Sequence, residues 1–226
     1  MVIAMPLDEM GRLFGAMLAN DLPDVPSYNV CPTQTISVCT SGETRRLVRP
    51  MRWGLVPRWY KTPTGGPLLI NARSETIAEK PAFREAVRER RGLVPASGFY
   101  EWERAEGRAP LPWYVTRADG APMVFAAVWQ DWGEGEARGP TCAIVTCPAN
   151  ADMARVHDRL PVILGPDEWP LWLGEAGHGA ARLMRPVPEG TLAMRRVGTE
   201  VNSSRATGEG LIASLDDVAV GPLNPE

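Results

Sequence analysis

The sequence predicts an α+β domain, built mainly of short strands in barrel-like sheets with a few flanking helices. The chain contains 22 glycines and 22 prolines among 226 residues, so it must turn often. The apolar runs between these turns are short, and few segments carry apolar residues at helical spacing. At this length we expect one domain over residues 1–215, followed by a loose tail over residues 216–226.

Helices are predicted where apolar residues recur every three or four positions. The first begins at Asp8, whose side chain can cap the opening turn, and places Met10, Phe14 and Met17 on one face. A later one is basic and has Pro81 at a favourable first-turn position. The predicted helices span residues 8–20, 81–91, 150–157 and 167–173.

Strands are predicted where short β-branched and aromatic runs lie between turn residues. Gly42 marks the first of these turns, and Asp119 with Gly120 marks a later one. The apolar run at 68–70 is expected to be a buried strand that delivers Asn71 at its end. The predicted strands span residues 35–40, 45–49, 51–56, 68–70, 92–96, 99–104, 113–117, 123–130, 141–147, 161–164 and 191–197.

Positive charge is concentrated in one segment of an otherwise acidic protein. The formal net charge is -3, but residues 45–91 hold twelve basic and four acidic residues. Arginine provides 22 of the 24 basic residues, and its planar fork suits phosphate. A GC-rich genome would also raise the arginine count without clustering it. Trp53, Trp59 and Tyr60 lie among these arginines, a combination that favours binding to single-stranded nucleic acid.

Several classes of protein are disfavoured by what the sequence lacks. It has no apolar run of about 18 residues that could span a membrane, and its start lacks a secretory signal, so we expect a cytoplasmic protein of the bacterial cytosol or nucleoid. Four cysteines without a CxxC motif and two histidines disfavour a metal site or a disulfide framework. The GxSxG, P-loop, GxGxxG and HExxH motifs are absent. We therefore expect no metal, no cofactor and no membrane partner.

Three polar residues in apolar settings are candidates for proton chemistry. Glu101 lies inside Phe-Tyr-Glu-Trp, His157 lies inside Val-His-Asp-Arg-Leu-Pro, and Asn71 follows Leu-Leu-Ile. A carboxylate among aromatic rings loses hydration, which raises its pKa and fits it for proton transfer. Taken singly, each residue also has an ordinary structural interpretation. Glu101 could be a solvent-facing strand residue, His157 a structural imidazole and Asn71 a turn former.

Taken in order, the motifs resemble one family. They are Asn-Ala-Arg-x-Glu-Thr at residues 71–76, Phe-Tyr-Glu-Trp at 99–102 and His-Asp-Arg-x-Pro at 157–161. This series resembles the SOS-response-associated peptidase (SRAP) family, whose members are abasic-site processing proteins. The resemblance extends over about residues 1–215.

The resemblance implies covalent chemistry on abasic sites in single-stranded DNA. Family members remove their own initiator Met and couple the exposed cysteine to the ring-opened sugar, first as an imine and then as a thiazolidine. By analogy, Glu101 moves protons during ring opening and imine formation, and His157 assists as acid and base and in reversal. Asn71 orients the amino end or the sugar. A monomer is expected.

The resemblance also implies the residues that contact DNA. Arg73 and Arg159 would hold phosphates, and Trp59 and Tyr60 would stack against or wedge the distorted strand. Thr146 and Asn29 would line the site.

The amino end departs from the family pattern. The family begins Met-Cys-Gly-Arg, whereas this chain begins Met-Val-Ile-Ala and has no cysteine before Cys31. Either the start is assigned a few residues late, which the strand-like Val2-Ile3-Ala4 favours, or this member lacks the nucleophile; a substitute role for Cys31 is not expected. Three alternatives stay open: a single-stranded DNA module without covalent chemistry, a peptidase acting on other substrates, and a tryptophan-rich sugar-binding domain. The basic segment disfavours the last of these.

Overall fold

The computed structural model describes residues 1–104, 106–134 and 139–215, and most of its regular structure is strand. The strands are β1 (Ala16–Leu18), β2 (Thr35–Thr40), β3 (Arg46–Trp53), β4 (Asn71–Arg73), β5 (Arg91–Ala96), β6 (Phe99–Glu103), β7 (Leu111–Arg117), β8 (Met123–Trp132), β9 (Gly139–Pro148), β10 (Arg159–Pro161) and β11 (Leu192–Arg196). The α-helices are α1 (Leu7–Phe14), α2 (Ala86–Glu89), α3 (Ala151–Ala154) and α4 (Trp169–Leu173). This confirms the α+β prediction.

The larger sheet curves until its two ends meet. Its strands follow the order β3-β2-β5-β8-β9 in antiparallel pairs, and β3 then pairs with β9 in parallel through Arg52 and Trp53. The result is the ring that the many short strands predict. Strands β4 and β10 pair with the last residues of β9 on its two opposite edges, which places both at one end of the ring.

A smaller antiparallel sheet, in the order β11-β7-β6, packs beside the ring. Val2, Tyr100, Tyr114, Val197 and Val201 form a separate small core for it. Because Val2 bridges to Gly98, the amino end of the chain lies between the two sheets.

The main core fills the ring and the space beneath α4. Strand β8 is buried over most of its length, which explains its nearly unbroken apolar sequence. Trp172 of α4 is fully buried and donates a hydrogen bond from Nε1 to the carbonyl of Gly92 at 2.9 Å. Position 92 requires glycine because a Cβ there would lie 2.7 Å from the side chain of Val38.

All four predicted helices are shorter in the structure, and those predicted at 150–157 and 167–173 are α-helical over Ala151–Ala154 and Trp169–Leu173. The helix predicted over 8–20 ends at Phe14, because Gly15 adopts a left-handed conformation (φ 58°) and residues 16–18 then pair with β3. Of the helix predicted over 81–91, only Ala86–Glu89 is α-helical, and turns precede it.

The strands predicted at 45–49 and 51–56 are one strand, β3. One edge of β3 pairs with β1 before Pro50 and with β9 after it. Pro50 lies in the gap between these two pairings, so its missing N–H leaves no strand-to-strand hydrogen bond unmade on that edge. The predicted tail, 216–226, lies outside the described residues. No described helix has the length and apolar character needed to cross a membrane.

Candidate active site

A cleft of about 600 Å³ lies where β4, β9 and β10 approach β6 of the smaller sheet. It brings together residues that are far apart in the sequence. Seven of the nine predicted site residues line it: Asn29, Asn71, Arg73, Glu101, Thr146, His157 and Arg159.

Strand pairing explains this convergence. Strand β4 runs parallel to β9, with Asn71 opposite Ile144 and Arg73 opposite Thr146. Residues two apart on a strand share a face, so Asn71 and Arg73 both line the cleft. Strand β10 pairs with β9 antiparallel and places Pro161 opposite Thr146. Thr146 is therefore the point at which the three strands meet.

Glu101 brings a largely desolvated carboxyl group into the cleft from β6. Burial raises the pKa of Glu101, and the neighbouring His157 partly opposes this rise. A carboxyl group of this kind exchanges its proton closer to neutral pH than an exposed one does. The side chain can therefore donate or accept a proton during a reaction in the cleft.

His157 has one ring nitrogen committed to the protein. Its Nδ1 accepts a hydrogen bond from the backbone N–H of Arg159 at 3.0 Å. In the neutral ring the proton therefore lies on Nε2. Asp158 Oδ1 lies 3.3 Å from the same Nδ1 and becomes its partner when the ring is protonated. This arrangement leaves Nε2 as the nitrogen available to a ligand.

The backbone nitrogen of Met1 also reaches the cleft. It donates to the carbonyl of Val30 at 2.9 Å. Burial lowers the pKa of this amine to about 5, although the nearby Cys31 and Glu101 oppose the shift. The amine is therefore mainly neutral at pH 7, the form in which it is a nucleophile.

One wall of the cleft was missed by the sequence analysis. The segment after β11 supplies Asn202 and Ser204 to the lining. The Nδ2 group of Asn29 holds this segment by donating to the carbonyls of Ser203 at 3.0 Å and Ala206 at 3.1 Å. Trp102 Nε1 donates to Asn202 Oδ1 at 2.7 Å. No local motif marks these residues, because their contacts span a hundred or more positions of sequence.

The other two predicted DNA-contact residues, Trp59 and Tyr60, line a separate depression of about 660 Å³. Trp59 is 60% exposed, and its ring meets that of Tyr60 edge-on, with centroids 6.2 Å apart. Arg58 and Lys61 line the same depression. Asp131 and Glu134 line it too, so it offers exposed aromatic faces beside charges of both signs, outside the cleft.

Of the four cysteines, all of which are free, only Cys31 lines the cleft. Its Sγ donates to the carbonyl of Asn29 at 3.4 Å. The other three, Cys39, Cys142 and Cys147, are buried, and burial raises the pKa of each thiol to about 11 or 12. They are accordingly unreactive packing residues.

A carboxyl group, an imidazole and a buried amine surround one cleft, with two arginines at its wall, and such groups can transfer protons. The sequence profile of the family described as SOS response associated peptidase (SRAP) matches residues 1–204. This chain belongs to that family.

Similar proteins have related sequences and folds. Abasic site processing protein YoaM of Bacillus subtilis is 41% identical over 150 residues, which cover 66% of each chain. Abasic site processing protein YoqW of the same bacterium is 34% identical over 84% of this chain and 86% of its own.

Solved structures show the same fold. A crystal structure from Bacteroides thetaiotaomicron superposes with a TM-score of 0.71 at 25% identity, over 80% of this chain and 82% of its own. A phage-related protein from Bordetella bronchiseptica gives 0.67 at 26% identity, over 87% and 92%.

Proposed function

We propose that this protein processes abasic sites in single-stranded DNA by bonding its amino end covalently to the ring-opened sugar. The observation that carries the proposal is one cleft lined by Met1, Glu101 and His157, in which burial lowers the pKa of the Met1 amine. The names of the Bacillus subtilis relatives, abasic site processing proteins, support the same substrate.

The chemistry starts with the sugar of the abasic site, whose ring opens to an aldehyde. The amine nitrogen attacks the aldehyde carbon to form a carbinolamine, which loses water to become an imine. Protonated Glu101 is suited to give the proton that the departing hydroxyl needs, since burial keeps its carboxyl protonated to higher pH. His157 Nε2–H is suited to protonate the sugar oxygen as the ring opens.

The final product depends on the first residue. An amino-terminal cysteine places a thiol two carbons from the amine, and its addition to the imine carbon closes a five-membered thiazolidine ring. In the cysteine-bearing form, removal of the initiator Met by the protein itself precedes this step. With Met1 as the first residue there is no adjacent thiol, and the product stops at the reversible imine.

Unpaired DNA suits both the cleft and the separate depression. The cleft of about 600 Å³ accepts a nucleotide that has left the stack, and the separate depression at Trp59 and Tyr60 offers rings on which unpaired bases stack. In this proposal Asn71 orients the sugar and Arg73 holds a phosphate; both residues line the cleft.

The test compares two forms of the protein, one starting at Met1 and one carrying Met-Cys-Gly-Arg before Val2. Each is incubated with single-stranded DNA that contains one abasic site, and with intact DNA as the control. We expect a heat-stable crosslink from the cysteine form on a denaturing gel, and only a borohydride-trapped product from the Met1 form. A cysteine form that crosslinks no abasic DNA contradicts the proposal.

A second candidate is a non-covalent sensor of single-stranded DNA. It is favoured by the exposed ring of Trp59, which lies beside Tyr60 outside the cleft and offers a stacking face without covalent chemistry. In that case DNA binding depends on salt, and Glu101→Gln and His157→Asn leave it unchanged with no crosslink in either form.

A further inference from the structure

The two arginines that line the cleft differ in their partners. The side chain of Arg159 is 18% exposed, and both terminal nitrogens of its guanidinium meet the carboxylate of Glu75, Nη2 at 2.9 Å from Oε2. The side chain of Arg73 is exposed and makes no hydrogen bond or ion pair with any residue in the described ranges. One guanidinium is therefore occupied, and the other has no partner in the described part of the chain.

Several hydrogen bonds hold the ion pair of Arg159 and Glu75 in place. Arg159 Nη2 also donates to the carbonyl of Thr146 at 2.8 Å, and the N–H of Ser74 donates to the same carbonyl at 2.8 Å. The hydroxyl of Ser74 donates to Glu75 Oε2 at 3.2 Å. The hydrogen bond from Arg159 lowers the pKa of Glu75 to about 2. Glu75 is therefore ionised at every ordinary pH and offsets the charge of Arg159.

We propose that Glu75 is an internal counter-ion that withholds Arg159 from DNA and leaves Arg73 as the cleft guanidinium that binds a phosphate. The inference rests on the proposed binding of single-stranded DNA. A phosphate needs the same fork of Arg159 that the carboxylate occupies, because both anions take two parallel N–H bonds.

The proposal makes Glu75 a positioning residue, since it lies outside the lining of the cleft. Each phosphate contact strengthens binding to damaged and intact DNA alike. By neutralising one of two arginines, Glu75 lowers the part of the affinity that is the same for damaged and intact DNA. Selectivity for the abasic site then depends more on the sugar contacts.

The test is Glu75→Gln, which keeps the shape of the side chain and removes its charge. The variant is expected to bind a labelled single-stranded oligonucleotide up to about fivefold more tightly than the wild type. The plot of log affinity against log salt concentration is expected to steepen by about 0.7, the value for one added phosphate contact on a single strand. Abasic and intact oligonucleotides should show the same gain.

A matched control comes from a second ion pair. Glu175 holds Arg46 in the same two-pronged way at 2.7 Å, and those side chains are 26% and 18% exposed. This pair lies outside the cleft, so Glu175→Gln is expected to leave affinity and salt dependence unchanged. In an Arg159→Gln background, Glu75→Gln should have no effect on either quantity, because the residue acts through Arg159.

Stability is checked by thermal unfolding, and Glu75 is 45% exposed, so the variant is expected to fold. Glu75→Asp, which draws the carboxylate back by one methylene, should give an intermediate salt slope and provides a second reading. Equal or weaker binding by both folded variants overturns the inference. A cysteine-bearing form that binds intact DNA without crosslinking abasic DNA defeats the proposed function alone, whereas protein that binds neither oligonucleotide defeats both.

Discussion

The backbone N–H of Arg159 donates to His157 Nδ1 at 3.0 Å, so two residues of one motif fix the ring that faces the cleft. This bond selects the tautomer with hydrogen on Nε2. It also ties the imidazole to the start of β10, where Arg159 pairs with Pro148 of β9. The His-Asp-Arg-x-Pro motif therefore has a geometric reason for its spacing: the third residue orients the first.

Replacement of this imidazole should slow the covalent step without weakening DNA binding. We expect His157→Asn in the cysteine-bearing form to lower the crosslinking rate by about 100-fold or more, since an amide cannot transfer the proton. The rate is read from a time course on denaturing gels, and affinity from a separate binding titration. His178→Asn is the matched control because His178 is exposed and lies outside the cleft. Equal rates for the two variants would rule out proton transfer by His157.

Glu101→Gln is expected to change how stability depends on pH. Burial raises the pKa of Glu101, so above its ordinary value of 4.5 the native protein binds this proton more tightly than the unfolded chain does. Its contribution to the free energy of unfolding therefore falls as pH rises. The glutamine variant should lose this fall, which denaturant unfolding at about pH 4.5 and about pH 7.5 measures. Glu106→Gln, at an exposed turn, should follow the wild type.

The packing of α4 on the ring can be tested through one indole. Trp172→Phe removes the hydrogen bond to Gly92 and leaves that buried carbonyl unpaired, at a cost of about 1–3 kcal/mol in the free energy of unfolding. Trp59→Phe, at an exposed ring, should stay within about 0.5 kcal/mol of the wild type. Denaturant titration compares the two, and similar losses would mean that α4 contributes little to the core.

Local patterns predicted most strands because each has its own alternation and turn residues, but the buried strand predicted at 68–70 is wrong: Leu68 is exposed, and Leu69 forms only an isolated bridge with Leu55. Their errors lie where a distant partner decides the outcome. Residues 16–18 continue the helical spacing of α1, yet they pair with β3, and the left-handed Gly15 makes that change possible. The closure of the ring through β3 and β9 follows from pairing between segments about ninety positions apart, which no local pattern encodes.

In the candidate site, too, local patterns mark some residues, and others are set only by distant contacts. Glu101, His157 and Asn71 lie in apolar settings that mark them individually, and strand pairing brings them to one cleft. The pairing of Glu75 with Arg159 has no such mark, since the two residues lie 84 positions apart in ordinary polar sequence. The same holds for Asn29, whose role in holding the segment at Ser203 depends entirely on tertiary contact.

The amine at residue 1 leads to a prediction about pH. Burial lowers its pKa from 8.0 to about 5, and the neutral amine is the nucleophile. In protein prepared with Met1 as its first residue, borohydride trapping of abasic DNA should therefore be nearly independent of amine ionisation above about pH 6. A peptide copying residues 1–10, whose amine is hydrated, should continue to gain rate up to about pH 8. The native state also binds fewer protons than the unfolded chain between these two pKa values, so stability should rise with pH there, opposite in sign to the effect of Glu101. A trapping rate that follows the peptide's profile would show that the amine is hydrated in solution and is not held in the cleft.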